Sequence, residues 1–115
     1  MRSIASRAVA APALATLALA ALVLAVPAPG QAAGDKEAGK RKAQACQGCH
    51  GMDGIAKVPG APNLAGQNEQ YFIKAMNDFR TGARKNEMMS VLIGQVKRED
   101  YADLAAYYAS LVPGR

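Results

Sequence analysis

The sequence predicts a small all-α domain, and two observations lead to that fold class. Beyond residue 33, apolar residues recur at helical spacing in segments separated by Gly- and Pro-rich stretches. No stretch of that region alternates apolar and polar residues with the period of a strand, and it contains no repeat or low-complexity segment. A chain of 115 residues accommodates one domain at most.

The motif that carries chemistry is Cys46-Gln47-Gly48-Cys49-His50. Two cysteines separated by two residues and followed at once by a histidine are the attachment signature of a c-type haem. Each thiol adds across one haem vinyl group to form a thioether, and the gap between the cysteines matches the spacing of the two vinyls. A neutral imidazole nitrogen binds iron well, which makes His50 the proximal ligand. The motif therefore predicts one covalent haem c with its iron.

Three other interpretations of the motif are weaker. A thioredoxin-type redox pair would need a surrounding βαβ pattern, which is missing from the sequence. A zinc site would need further ligands, but the chain has only 2 Cys and 1 His. A small structural disulfide between Cys46 and Cys49 would leave His50 without a role.

The N-terminal segment has the three-part layout of a secretory signal peptide. Residues 1–7 carry two arginines and no acid, residues 8–26 are almost wholly Ala, Leu and Val, and the Pro and Gly of residues 27–30 end the run. Export agrees with the motif, because bacteria attach c-type haem outside the cytoplasm.

We expect cleavage after Ala32, which makes residues 1–32 the signal peptide and residues 33–115 the mature domain. The alternative is an uncleaved membrane anchor. Against it, the uninterrupted apolar stretch 13–26 is short for a membrane span and rich in alanine. The predicted location is the periplasm, and contact with a membrane is expected only through partner proteins.

The charge of the mature domain argues against a nucleic-acid partner. The whole chain has 14 Lys and Arg against 9 Asp and Glu, and removal of Arg2 and Arg7 leaves 12 against 9, a net charge of +3. Two haem propionates would bring the protein near neutrality. A basic rim that guides an acidic protein partner is the more reasonable use of these charges, with Lys57, Lys85 and Lys97 as candidates.

The mature domain is expected to begin with a helix over residues 36–49, capped by Asp35. A glycine inside this helix, Gly39, costs about 1 kcal/mol relative to alanine and is explained best by the close approach of another helix, although a tolerated surface glycine fits almost as well. The Gly- and Pro-rich residues 51–66 predict a loop that can wrap the haem edge on the side of His50.

Three further helical segments follow. Asn68 predicts the start of a helix that runs to about Arg80 and stops near Gly82. Its apolar stripe consists of Tyr71, Phe72, Ala75, Met76 and Phe79. Residues 88–93 predict a short helix, and residues 98–111 predict the last one. The apolar face of the last helix consists of Tyr101, Leu104, Ala105, Tyr108 and Leu111.

The second axial ligand of the iron must be Met, Lys, Tyr, water or nothing, since no further His or Cys exists. Met ligation raises the reduction potential and suits an electron carrier. Met52 is too close to His50 in the chain to reach the opposite face of the haem, and Met76 lies mid-helix, where a core role is expected. Met88 and Met89 are expected in a non-helical approach that could cross to that face. Spacing alone does not choose between them.

With these residues, the sequence resembles the class I bacterial cytochromes c, in particular the cytochrome c553-like proteins and the single domains of cytochrome c4. The resemblance covers essentially the whole mature chain. The matching residues are Gly34-Asp35, Ala38-Gly39-Lys40, Cys46 to Gly54 with the haem motif, Pro62-Asn63-Leu64-Ala65-Gly66-Gln67, Tyr71, Phe79-Arg80 to Met89, and Asp103 to Tyr108.

The resemblance implies a class I cytochrome c fold of three to five helices around one haem. The family pattern Arg-x-Asn-x-x-Met implies Met89 as the distal iron ligand, with Met88 as the fallback. It also implies that the carbonyl of Pro62 accepts a hydrogen bond from His50, and that Gly39 lies where the first and last helices cross. One departure is the sequence before the last helix, 96–98, which lacks the capping residue usual in the family.

The sequence and the resemblance together predict a non-enzymatic, mono-haem electron carrier. The expected partners are a quinol-oxidising complex or a dehydrogenase on one side and a terminal oxidase or reductase on the other. The alternatives are a dedicated cytochrome subunit of an oxidoreductase complex and, less in keeping with the Met89 block, a ligand-binding haem protein or small peroxidase.

Overall fold

The N-terminal helix forms where the sequence predicts its cap. In the computed structural model, which describes residues 6–15 and 33–114, helix α1 spans Lys36–Lys42. The Asp35 carboxylate accepts hydrogen bonds from the backbone N–H of Glu37 at 2.8 Å and of Ala38 at 3.1 Å. These bonds satisfy donors that the first turn of a helix leaves free.

The predicted helix over residues 36–49 is present in three pieces. After α1 the chain tightens into a 3₁₀ turn at Ala43–Ala45, and the short helix α2 spans Gln47–His50. A 3₁₀ turn winds more tightly than an α-helix, so it rotates the motif residues relative to the face of α1. The following residues, 51–66, form the expected loop.

Helix α3 spans Glu69–Thr81, between Asn68 and Gly82 as predicted. The Asn68 side chain accepts from the N–H of Tyr71 at 3.0 Å, and Gly82 takes the left-handed conformation with φ of 81° that commonly ends a helix. One expectation for this helix is wrong: Tyr71 is 52% exposed and lies outside the core.

Two helices complete the domain. Helix α4 spans Glu87–Ile93, and helix α5 spans Tyr101–Ala109 after a 3₁₀ turn at Arg98–Asp100. No side chain caps α5 or the 3₁₀ turn before it, in keeping with the missing capping residue noted above. The prediction of an all-α fold is confirmed: the described residues contain helices, turns and loops but no strand.

The core lies where α1 and α3 pack against α5. The apolar residues buried in it are Ala43, Phe72, Met76, Ile93, Tyr101, Leu104, Ala105, Tyr107 and Tyr108. The first and last helices cross at Gly39, where an added Cβ would lie 1.9 Å from the carbonyl oxygen of Asp103. The glycine therefore marks a helix crossing, as the resemblance implies.

The predicted cleavage point after Ala32 lies outside the described residues. Among the described residues, no helix has both the length and the apolar character needed to cross a membrane.

Candidate cofactor site

The two cysteines lie on either side of the first turn of α2, and both are free and half-buried. The backbone N–H of His50 donates to the carbonyl of Cys46 at 3.0 Å, so the motif is wound as one helical turn. Burial raises the pKa of the Cys46 thiol, and the neighbouring Tyr108 hydroxyl opposes that rise to a smaller extent. The site thus presents two unpaired thiols on one turn of backbone.

The imidazole of His50 is buried and held by a backbone carbonyl. Its Nδ1 lies 2.8 Å from the carbonyl oxygen of Pro62. A carbonyl can only accept a hydrogen bond, so Nδ1 carries the proton and donates it. In the neutral ring, Nε2 is then left with its lone pair free for a metal.

The loop that carries Pro62 is tied back onto the motif. The N–H of Lys57 donates to the carbonyl of Cys49 at 2.8 Å, and the N–H of Ala56 donates to the side-chain oxygen of Asn63 at 2.8 Å. A tight turn at Gly54, with φ of 71°, brings its carbonyl within 2.8 Å of the N–H of Leu64. These bonds keep the two ends of the loop together, with Pro62 beside His50.

The last helix supports this loop from the other side. The hydroxyl of Tyr107 in α5 donates to the carbonyl of Met52, two residues beyond His50. The N–H of Gly66, at the end of the loop, donates to the carbonyl of Tyr108 at 2.8 Å. Sequence reasoning placed Tyr108 in the core but gave Tyr107 no role there, and it missed the Tyr107 contact, for which no local pattern gives a signal.

The Tyr108 hydroxyl is buried and faces the Cys46 thiol, without a hydrogen bond of ordinary geometry. Sulfur is a weak acceptor, so we regard this hydroxyl as unsatisfied. Burial raises the pKa of Tyr108 strongly, and the hydroxyl stays protonated. An orphaned buried hydroxyl is costly in a folded protein, and here it borders one of the two thiols.

The two candidate distal methionines lie in the first turn of α4, which agrees with the short helix predicted over residues 88–93 and corrects the expectation of a non-helical approach. The side chain of Asn86 caps this helix and accepts from the N–H groups of Met88 and Met89, each at 3.1 Å. Consecutive helical residues point about 100° apart, so the two side chains leave the helix in different directions. Met88 is 65% exposed, whereas Met89 is partly buried.

These residues fit a covalently bound haem. Two free thiols, an imidazole nitrogen freed by a hydrogen bond on the opposite side of the ring, and a partly buried thioether are the donors that such a group requires. A shallow, open depression of the surface lies at the junction of α3 and α4, and no residue of the haem motif lines it.

The candidate rim lysines, Lys57, Lys85 and Lys97, are all exposed. The Lys57 ammonium lies 3.1 Å from a carboxylate oxygen of Asp53, four residues earlier in the chain. The backbone N–H of Ile55 and the ammonium of Lys57 hold the pKa of Asp53 below its usual value, so this carboxylate stays charged at neutral pH.

The chain is similar to known proteins along the whole of the helical domain. A family model described as Cytochrome c matches residues 36–111. Cytochrome c4 of Pseudomonas aeruginosa is 47% identical over 79 residues, which cover 69% of this chain and 39% of that protein. Cytochrome c-554(548) of Halomonas halodenitrificans is 41% identical over 81 residues, which cover 68% of this chain and 98% of that protein.

Comparison with a solved structure also indicates a relationship to the cytochromes c4. The crystal structure of reduced recombinant cytochrome c4 from Pseudomonas stutzeri matches with a TM-score of 0.64 and 37% identity, over 70% of this chain and 47% of that one. The chain spans less than half the length of these cytochromes c4 but nearly all of the cytochrome c-554(548).

Proposed function

The chain belongs to the cytochrome c family, which binds haem c covalently, and we propose that it is a periplasmic, mono-haem electron carrier whose iron is ligated by His50 and Met89. The observation that carries the ligation is the contact of His50 Nδ1 with the carbonyl of Pro62, which leaves Nε2 for iron. The single haem rests on the single motif of the chain.

Each residue of the site has a definite task in this proposal. Cys46 and Cys49 would hold the haem through two thioethers, and His50 and Met89 would be the protein ligands of its iron. The bound haem supplies an iron that gains or loses one electron. Pro62 keeps the imidazole of His50 in one tautomer and orientation, so the ligand does not need to turn when the iron changes oxidation state. Met89 favours the ferrous state and raises the reduction potential.

Met89 is proposed over Met88 because of the burial of the two side chains. Met88 projects into solvent from the first turn of α4, whereas Met89 is partly covered by the protein. A ligand enclosed in the protein excludes competing water more effectively than an exposed one.

The partners proposed for this carrier are membrane-bound or soluble redox proteins: a quinol-oxidising complex or dehydrogenase as donor, and a terminal oxidase or reductase as acceptor. Transfer between such proteins needs a transient contact, to which an exposed basic rim can guide an acidic partner. Electron-transfer rates with each candidate partner, measured at increasing ionic strength, test this assignment. A stable complex with one catalytic subunit in a pull-down would favour a dedicated cytochrome subunit instead.

The ligation is tested by absorption spectra of the mature holoprotein in both oxidation states, together with Met89→Ala and the matched control Met88→Ala. We expect the weak far-red band that methionine sulfur gives with ferric haem in the wild type and in Met88→Ala, but not in Met89→Ala. Loss of the band only in Met88→Ala would move the ligand to Met88. A wild type that lacks the band and binds CO readily when reduced would contradict the carrier and favour a ligand-binding haem protein.

A further inference from the structure

A partly buried cation joins three elements of the domain. Arg80, in the last turn of α3, donates from Nε to the hydroxyl of Tyr101 at 2.6 Å and from Nη2 to the carbonyl of Ile93 at 2.9 Å and to the carbonyl of Val96. Its guanidinium also lies over the Tyr101 ring, 5.5 Å from the centroid. No ion pair within residues 33–114 includes Arg80, so backbone carbonyls and a hydroxyl are its partners.

The carbonyls that Arg80 binds lie where α4 ends. Ile93 is the last residue of this helix, and Val96 lies in the turn that follows it. The last carbonyls of a helix have no partner within the helix and carry its negative dipole end, so a cation is favoured there. Arg80 therefore caps the C-terminal end of α4 from a neighbouring helix, while Asn86 caps the N-terminal end.

Helix α4 has few other attachments. It is seven residues long, too short to be stable without tertiary contacts. Ile93 is its only buried residue, and Met88 and Val91 are 65% and 66% exposed. The bonds from Arg80 and the burial of Ile93 are thus the main constraints on its C-terminal half, and Met89 lies one helical turn before Ile93.

We propose that Arg80 is the positioning residue for Met89, because it anchors α4 so that the thioether stays at one place relative to His50. This inference rests on the His50 and Met89 ligation proposed above. Without the guanidinium, α4 opens locally more often, and Met89 leaves the iron more often, even where the rest of the domain stays folded.

The test measures how fast imidazole binds to the ferric holoprotein, because imidazole can bind only after Met89 has left the iron. We compare the wild type with Arg80→Gln and Arg80→Lys. Arg80→Gln is expected to raise the binding rate at saturating imidazole about tenfold or more, since bonds from a charged donor to two carbonyls are lost. Arg80→Lys should give an intermediate rise, because a single ammonium cannot reproduce the planar, forked donor set.

Two controls separate positioning from other effects. Arg84→Gln removes the same charge. The Arg84 guanidinium lies over the Phe79 ring, 4.7 Å from its centroid, and makes no hydrogen bond to α4. It should leave the imidazole rate unchanged. Gly39→Ala destabilises the domain at the crossing of α1 and α5, far along the chain from α4. A similar rise of the imidazole rate in Gly39→Ala, at equal loss of overall stability, would show that Arg80 acts only through global stability and would overturn the proposal.

The remaining outcomes are also decisive. If the wild type shows the far-red methionine band and both Arg80 variants bind imidazole at the wild-type rate, the positioning role is wrong and the ligation stands. If the wild type lacks the band and binds imidazole at once, the ligation itself is wrong, and the role of Arg80 falls with it. Arg80→Lys keeps the comparison possible should Arg80→Gln fail to fold.

Discussion

At the scale of single residues, one of the tightest constraints is the contact of Gly39 with the last helix. An added Cβ there would lie 1.9 Å from the carbonyl oxygen of Asp103 and 2.9 Å from the Cβ of Tyr107. The first neighbour is a backbone atom of α5 and the second is bonded directly to its backbone, so neither can move away as the end of a flexible side chain would. A glycine lowers the stability of α1, but at this position it allows α1 and α5 to pack in direct contact.

We expect Gly39→Ala to lower the free energy of unfolding by about 2–3 kcal/mol, since overpacking must push α1 and α5 apart. Guanidinium unfolding of the holoprotein, followed by far-UV circular dichroism, measures this loss. Gly48→Ala is the matched control: a Cβ at Gly48 meets nothing within 4 Å. An equal, small effect of both substitutions would show that the helices have room to separate.

At the scale of elements, α1 and α5 are also joined by charge. The Lys42 ammonium lies 2.7 Å from Asp100 and 2.6 Å from Asp103, and the N–H of Asp35 donates to the other oxygen of Asp103 at 2.8 Å. Asp100 and Asp103 lie at the start of α5, where negative charge is favoured. Lys42 and Asp35 therefore tie the end and the beginning of α1 to a helix that has no side-chain cap of its own.

These contacts make stability depend on pH in a defined direction. Lys42 first, and then the N–H of Asp35, hold the pKa of Asp103 below its usual value. A carboxyl with a lowered folded-state pKa contributes stability that is fully present above its unfolded pKa of about 3.9, and this stability is lost as the pH falls through the folded value. The hydrogen bonds to Asp100 and Asp103 raise the pKa of Lys42, whose contribution is correspondingly lost only at alkaline pH.

We expect Asp103→Asn to lower the free energy of unfolding by about 0.5–1 kcal/mol at pH 7, a small value because the pair is partly exposed to solvent. The difference from the wild type should shrink as the pH falls below the unfolded-state pKa of about 3.9, because the stability that comes from the lowered pKa of Asp103 is lost progressively there. Urea titrations at pH 7, 5 and 3 measure it. Asp78→Asn, which breaks an exposed pair with Lys74 within α3, should change stability less. A difference that persists unchanged at pH 3 would show that Asp103 acts without its charge.

At the scale of the whole molecule, the helices enclose little protein core of their own. The buried apolar residues of the described domain are nine in number, and three of these are tyrosines. A domain of about 80 residues buries a smaller fraction of its surface than a larger domain does. The half-buried thiols and the buried imidazole lie at one side of this core, so the covalent haem completes it.

The double variant Cys46→Ala/Cys49→Ala cannot form either thioether. We expect it to lose most of the helical circular dichroism signal at 25 °C and to show no cooperative transition on heating. Each single variant can still form one thioether and should retain the fold with a lower melting temperature. A double variant that unfolds cooperatively at the wild-type temperature would show that the helices form a sufficient core without covalent attachment.

The sequence by itself determined the features that depend on near neighbours. The caps formed by Asp35 and Asn68 join atoms two or three residues apart, and the Gly- and Pro-rich residues 51–66 exclude regular structure whatever surrounds them. The motif from Cys46 to His50 is likewise a local pattern whose chemistry follows from its spacing. For the same reason, the resemblance to the cytochromes c rests on short blocks of residues.

Only the tertiary structure decided which distant groups meet. The bond from Tyr107 to the carbonyl of Met52 spans 55 residues, and the bonds from Arg80 to Tyr101 and the end of α4 span 13 to 21. The different exposure of Met88 and Met89, equivalent by spacing, follows from how α4 lies against α3. A local pattern cannot encode such contacts, because each depends on the path of the whole chain and on backbone carbonyls that every residue type offers alike.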